Sequence, residues 1–229
     1  MMALVEYYAR ALTKGKFALV SFALQPLSFI FIVYVVSGGR FLDRALAGAI
    51  VSFIAGVGIA DLSIELVGMK ARSKFYDIIM SLPPGGNWRK ALGISIGMSI
   101  PAFPPHVTLL TFLLSWRLRL EAIPGILFGI VSLWLWSAGV GFLMGGVKIK
   151  EPLTVMRLSN LTVTALTVFP PVYYPESVLP DKIAVAMNFL PTVSAAKLMT
   201  GGGGSAFLIS LFWTVFGALL LWKFRGFED

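Results

Sequence analysis

Asp61 and Glu65 are the side chains best placed for chemistry, two carboxylates one helical turn apart in an otherwise apolar stretch. Residues four apart share a helix face. A carboxylate deep inside a membrane segment serves as a cation site or proton relay. Asp61 follows Ala45 by roughly 24 Å along a helix axis, which puts both groups near one membrane face. They read as interfacial carboxylates paired with basic residues of the following loop. His106 is the single histidine and stands beside Pro104 and Pro105, where it reads as structural. The chain has no cysteine, which excludes disulfides and thiolate metal sites. There is no H-E-x-x-H, no nucleophile elbow and no G-x-x-x-x-G-K-[ST] phosphate loop. The expectation is no catalytic residue, no metal site and no enzymatic activity in this chain.

The elements that carry these residues must be membrane helices. Of 229 residues, 57% are hydrophobic and 13% charged, against roughly a quarter charged in a soluble domain. Charge this scarce suits a surface that faces lipid, where ionised groups are costly. The net charge of +8 fits basic residues gathered in cytoplasmic loops, and no nucleic-acid partner is expected.

A crossing helix needs roughly 20 mostly apolar residues. Six stretches qualify: Phe17–Val36, Ala45–Met69, Ala91–Leu114, Ala122–Met144, Leu153–Val172 and Ala206–Trp222. The fifth is the least apolar. The third contains Pro101, Pro104 and Pro105, which interrupt the helical ladder and predict a kink near its outer end. The first follows Lys14 and Lys16 as a secretory signal would, but it is too long and no small-residue cleavage site follows Val36, so it reads as a retained span. With the N-terminus inside, 13 basic residues fall on inner segments and 6 on outer ones: Arg40, Arg44, Arg117, Arg119, Lys182 and Lys197. That excess predicts both termini in the cytoplasm, in a multi-pass protein of the plasma membrane.

The connections carry patterns of their own. Glu6, Arg10 and Lys14 form one row of an N-terminal segment, opposite Leu4, Val5, Tyr8 and Leu12, which predicts an amphipathic interfacial helix over residues 1–16. The second span has a small residue on each turn, Gly48, Ser52, Gly56 and Ala60, as helix-packing seams do. Gly93 and Gly97, Gly125 and Gly129, and Gly141 and Gly145 repeat that spacing. Between Lys70 and Lys90, Phe75, Ile78, Ile79 and Leu82 share one helical face and Arg72, Lys74 and Asp77 the other, before Pro83-Pro84-Gly85-Gly86 turns the chain. This predicts a short amphipathic cytoplasmic helix that rests at the interface or docks onto a soluble partner. Outside, prolines at 170, 171, 175, 180 and 191 divide the last connection into the apolar runs Ile183–Leu190 and Thr192–Met199. Runs too short to cross predict re-entrant or interfacial helices. The Gly201–Gly204 run reads as a flexible joint before the last span.

Three segments together carry a resemblance: the N-terminal amphipathic helix, the loop core RSKFYDIIMSLPPGGNWRKALG, and the external FPPVYYPESVLPDKIAVAMNFLPTVSAAKLM. In order, spacing and topology the chain resembles the ABC-2 type permeases, the membrane subunits of ABC exporters. Ser73-Lys74-Phe75-Tyr76 stands where that family has a glycine-led run, and Ser81-Leu82-Pro83 near its turn. Tyr174, Pro175, Leu179 and Pro180, then Asn188, Leu190 and Pro191, match its paired leucine-proline corners.

The resemblance implies an all-α fold of six spans with a cytoplasmic coupling helix between spans two and three. It implies two partners: a cytoplasmic ABC ATPase that binds ATP and Mg on its own chain, and a second permease subunit, a second copy being preferred to a different one. Arg72, Lys74, Phe75, Tyr76, Asp77, Ile78, Leu82 and Pro83 match the element that transmits motion from the ATPase. In such exporters spans one, two and five line the central cleft, which implies pathway roles for Ser21, Gln25 and Ser28 on span one and for Asn160, Thr164 and Thr167 on span five. The bland alternative is that these polar groups bond within their own helices. A stand-alone secondary transporter or channel is the competing function. It would call for internal repeats and midplane ionisable groups. The substrate is not legible.

Overall fold

The computed structural model of the chain describes residues 5–7, 10, 16–71, 87–103, 107–118, 120–146 and 151–223. Among them every regular element is helical. The helices are α1 (Lys16–Ser37), α2 (Leu42–Ala71), α3 (Asn87–Phe103), α4 (Leu109–Leu118), α5 (Ile123–Gly146), α6 (Pro152–Thr167), α7 (Asp181–Asn188), α8 (Pro191–Met199) and α9 (Gly204–Trp222).

Three of them, α2, α5 and α9, are long and apolar enough to cross a membrane, compatible with a membrane-embedded protein. Burial of their apolar windows falls from 83% in α2 through 56% in α5 to 22% in α9. α2 is therefore the centre of the molecule, and α9 presents Leu208, Phe212 and Val215 outward. Of the other three expected spans, the first coincides with α1, which covers all of Phe17–Val36, whereas the third and fifth differ from expectation. The third divides into α3 and α4 around residues 104–106, which lie outside the described residues. α3 continues through Pro101 to Phe103, because proline forbids only the bond to the preceding turn. The fifth stops at Thr167, as α6. Pro170 and Pro171 follow, and residues before a proline are pushed out of the helical region.

α2 packs against α1, α4, α5, α6 and α8, while α5 also carries α9. Glycines make the close approaches on α5. A Cβ on Gly141 would run into the Gly58 carbonyl of α2, and one on Gly145 would lie 2.8 Å from the Leu66 side chain. One on Gly125 would lie 2.9 Å from the Leu198 carbonyl of α8, and one on Gly139 2.8 Å from the Gly217 carbonyl of α9. Buried hydroxyls cross the same seams. Ser132 donates to the Ser210 carbonyl (2.7 Å) and the Trp134 indole N–H to Ser99 Oγ (2.8 Å).

α8 lies in the core between α2, α5 and α9, with eight of its nine residues buried. Its polar side chains are satisfied there: Thr192 donates to the Leu166 carbonyl (2.6 Å) and Ser194 to the Pro191 carbonyl (3.1 Å). Pro180 and Pro191 punctuate α7 and α8 where the sequence suggests, Pro180 as the N-cap of α7 and Pro191 in the first turn of α8. Gly201, at φ +85°, ends α8 with two capping bonds, Gly202 N to Lys197 O (2.7 Å) and Gly201 N to Leu198 O (3.2 Å). Only glycine adopts that left-handed backbone without cost. The glycine run expected as a flexible joint thus opens with a fixed cap, and its last member starts α9.

Candidate functional site

At the centre of α2 the helical ladder changes. Residues Gly56–Asp61 form a π-helical turn, a widening that often marks functional sites. The Ser137 hydroxyl of α5 is shared between the Trp134 carbonyl of its own helix (3.1 Å) and the Ile54 carbonyl (3.4 Å), just before that turn. The π turn has two opposite faces. Gly58 is pressed onto α5, where a Cβ would lie 2.6 Å from Ser137 Cβ. At Gly56 a Cβ would meet nothing within 4 Å.

The open face of the turn is the floor of a cavity of about 390 Å³. Its walls come from α1 (Phe29), α2 (Ser52, Phe53, Gly56, Val57, Ala60, Asp61), α6 (Asn160, Val163, Thr164, Thr167) and the stretch after it (Val168, Tyr173). Gly48 makes room for the Tyr173 ring, because a Cβ there would lie 2.7 Å from Cδ1. The Tyr173 hydroxyl donates to Ser52 Oγ (2.7 Å), and its ring stacks with Phe29 at 5.2 Å.

Polar groups in this cavity differ in what they bond. Thr167 is buried and donates to the Val163 carbonyl of its own helix (2.8 Å). The side chains of Asn160, Thr164 and Asp61 have no hydrogen-bond or ion-pair partner among the described residues. Asn160 and Thr164 are exposed at the rim, and Asp61 is half-buried in the wall. The row on α6 is therefore split: Thr167 bonds internally, whereas Asn160 and Thr164 keep their polar atoms for the cavity. Of the row on α1, Ser28 is exposed. For Ser21 and Gln25 the structure describes the helical backbone alone.

A second polar cluster lies at the opposite, tightly bonded extreme. Glu176, in a single 3-10 turn, accepts from Lys197 Nζ of α8 (2.6 Å), and Lys197 also donates to Asn188 Oδ1 (3.3 Å) at the end of α7. Burial pushes the Glu176 carboxyl up, but hydrogen bonds with Lys197 and Asn188 and the charges of Lys197 and Arg44 outweigh it and hold the group below its ordinary value of 4.5. Asp43 at the start of α2 pairs with Arg117 at the end of α4. Arg44, Lys197 and Arg117, three of the six basic residues that the charge count puts outside, thus each have a carboxylate nearby. The Tyr174 hydroxyl donates to the Phe169 carbonyl (2.8 Å), Pro175 precedes the 3-10 turn, and Leu179 follows it. Leu190 is the N-cap of α8.

Comparison with protein-family models, with curated proteins and with solved structures finds no match. The reading of the site therefore rests on its geometry. Arg72, Lys74, Phe75, Tyr76, Asp77, Ile78, Leu82 and Pro83, along with His106, lie outside the described residues. Of the N-terminal charged row, Glu6 and Arg10 form an ion pair one turn apart, as their spacing suggests. No group of three or more metal-ligating side chains occurs among the described residues. Glu65, one turn beyond Asp61, is half-buried and does not line the cavity. Sequence reasoning missed Ser52, Gly56 and Ala60 as cavity residues, because small residues at this spacing signal a packing seam equally well. The aromatic wall of Phe29, Phe53 and Tyr173 carried no spacing signal.

Proposed function

We propose that the chain is the membrane-spanning permease subunit of an ATP-driven exporter of the ABC-2 type. One observation carries this reading. One cavity among the described residues is walled by α1, α2 and α6, which overlap the first, second and fifth predicted spans, and the resemblance assigns the central cleft to those spans. The wall combines apolar and aromatic surface with a few unbonded polar atoms, as small-molecule sites do. On this reading the chain crosses the plasma membrane six times with both termini in the cytoplasm. α3 and α4 together make the third crossing, α6 and the stretch after it the fifth, and α7 and α8 form the external re-entrant segment.

The working unit pairs this chain with a second permease subunit, in preference a second copy, and with a cytoplasmic ABC ATPase that holds ATP and Mg. Residues 72–83 form the coupling element. Phe75, Ile78 and Leu82 seat in a groove of the ATPase, while Arg72, Lys74 and Asp77 set its register. The chain itself performs no ATP chemistry. Purification of the tagged chain from its native membrane tests the proposal. The expected result is copurification of an ATPase subunit, lost with Phe75→Asp while the chain itself stays folded. An isolated chain with no ATPase, and transport unaffected by Phe75→Asp, overturns it.

Asp61 favours a second reading, a stand-alone secondary transporter or channel, because a carboxylate facing a cavity inside a span is a natural coupling site. Gradient-driven uptake by the lone chain in liposomes distinguishes that reading, since an ABC permease without its ATPase shows none.

A further inference from the structure

We propose that the cavity between α1, α2 and α6 binds a hydrophobic organic monocation. That this ligand is also the exported cargo rests on the permease reading, while the binding itself does not. Asp61 is the one formally charged residue among the cavity's described walls, and no described side chain pairs with it. An ionised carboxylate in low-dielectric surroundings is costly unless a cation neutralises it. Among the described residues the lining has no lysine or arginine, so an anionic headgroup or a phosphorylated glycan would meet a negative wall with no described cation to compensate it.

The rest of the wall selects among cations. Phe29, Phe53 and Tyr173 line the same space, and aromatic faces attract cations by their quadrupole, most strongly when the cation is weakly hydrated. A bare metal ion favours several carboxylates, and no group of three or more metal-ligating side chains occurs among the described residues. Asn160 and Thr164 offer free oxygen acceptors at the rim, suited to a ligand's polar substituent. A volume of about 390 Å³ accepts one small molecule. Gly56 keeps the space open, because every other residue type would project into it.

The test uses the full chain in lipid nanodiscs without any ATPase, with empty nanodiscs subtracted. The probes are methyltriphenylphosphonium and triphenylphosphine oxide, close in shape but charged and uncharged. The expected result is saturable binding of the cation, at least about tenfold tighter than that of the oxide, each tenfold being about 1.4 kcal/mol. Asp61→Asn should remove that preference and leave oxide binding unchanged, at an unaltered melting temperature. Gly56→Leu, which fills the space from the floor, should weaken both. Equal affinity of the wild-type chain for the two probes overturns the proposal, with no variant needed. So does cation binding that Asp61→Asn leaves intact. Absence of an ATPase partner would leave these results standing, and absence of cation selectivity would leave a permease with a different cargo.

Discussion

Gly56 and Gly58 belong to one turn of α2 and face opposite surroundings. At Gly58 the backbone of α2 lies against Ser137 and Gly141 of α5, with no room for a methyl group; at Gly56 the same absence of a side chain leaves open cavity. Small residues thus serve two purposes on a single helix. On one face they bring backbones together, the means by which helices associate where lipid supplies no hydrophobic drive. On the other they preserve volume beside an unbonded carboxylate. Four-residue spacing does not separate these uses. What does is whether the missing Cβ would meet another helix.

The seam is where the comparison breaks with the largest effect. Gly141→Ala drives a methyl into the Gly58 carbonyl, backbone that cannot step aside. It should destabilise the chain by about 1–3 kcal/mol, the usual cost of overpacking, visible as a lower melting temperature of the purified protein. Gly56→Ala is the matched control: its methyl meets nothing within 4 Å, so it should leave stability unchanged or raise it, by at most about 1 kcal/mol, because alanine suits a helix better than glycine. If the two variants melt alike, the seam and the cavity are not distinct.

A smaller effect is expected where cavity and core meet. Ser52→Ala removes the acceptor of the buried Tyr173 hydroxyl, at a cost of about 1 kcal/mol for the unmet donor. Adding Tyr173→Phe should recover most of that loss, because replacing both partners leaves nothing unsatisfied. Purely additive losses in the double variant would show that the bond contributes nothing.

The external corner sharpens the contrast from the other side, since its carboxylate Glu176 is paired where the cavity's Asp61 has no partner among the described residues. Both Lys197 and Glu176 are partly exposed, so Lys197→Met should cost less than about 1 kcal/mol at neutral pH. Its pH signature is more telling. The Glu176 carboxyl titrates below its ordinary 4.5 in the folded chain, so its contribution is present above pH 4.5 and is lost as pH falls through the depressed folded value. Wild-type melting temperature should drop across that acid range, and the drop should flatten in Lys197→Met.

Much of this architecture was legible from apolar runs and prolines. α2, α5 and α9 lie within about three residues of the stretches that length and hydropathy select, and α7 and α8 begin after Pro180 and Leu190 as the punctuation suggests. The polar row on α6 was legible too, because Asn160, Thr164 and Thr167 share a face at helical spacing. The π turn was not. It contains no proline to mark it. Gly48, Ser52, Gly56 and Ala60 read as one packing seam, whereas Ser52, Gly56 and Ala60 line a cavity and Gly48 packs on the Tyr173 ring. Distance along α2 gives Asp61 a depth, but the sequence of one helix does not show that its neighbours leave a cleft beside it.

The absence of cysteine from the chain permits a direct test of the central claim, that the α2–α6 cleft is a pathway and not lipid-filled packing space. Single cysteines at Thr164, on the cavity rim, and at Leu161, exposed on α6 but outside the cavity lining, would be treated in intact membranes with a small charged thiol reagent. The account predicts rapid modification of Thr164→Cys, slowed by a saturating cation ligand, and little modification of Leu161→Cys. Equal resistance at both positions would contradict it, because a cleft that water and solutes never enter cannot carry a substrate.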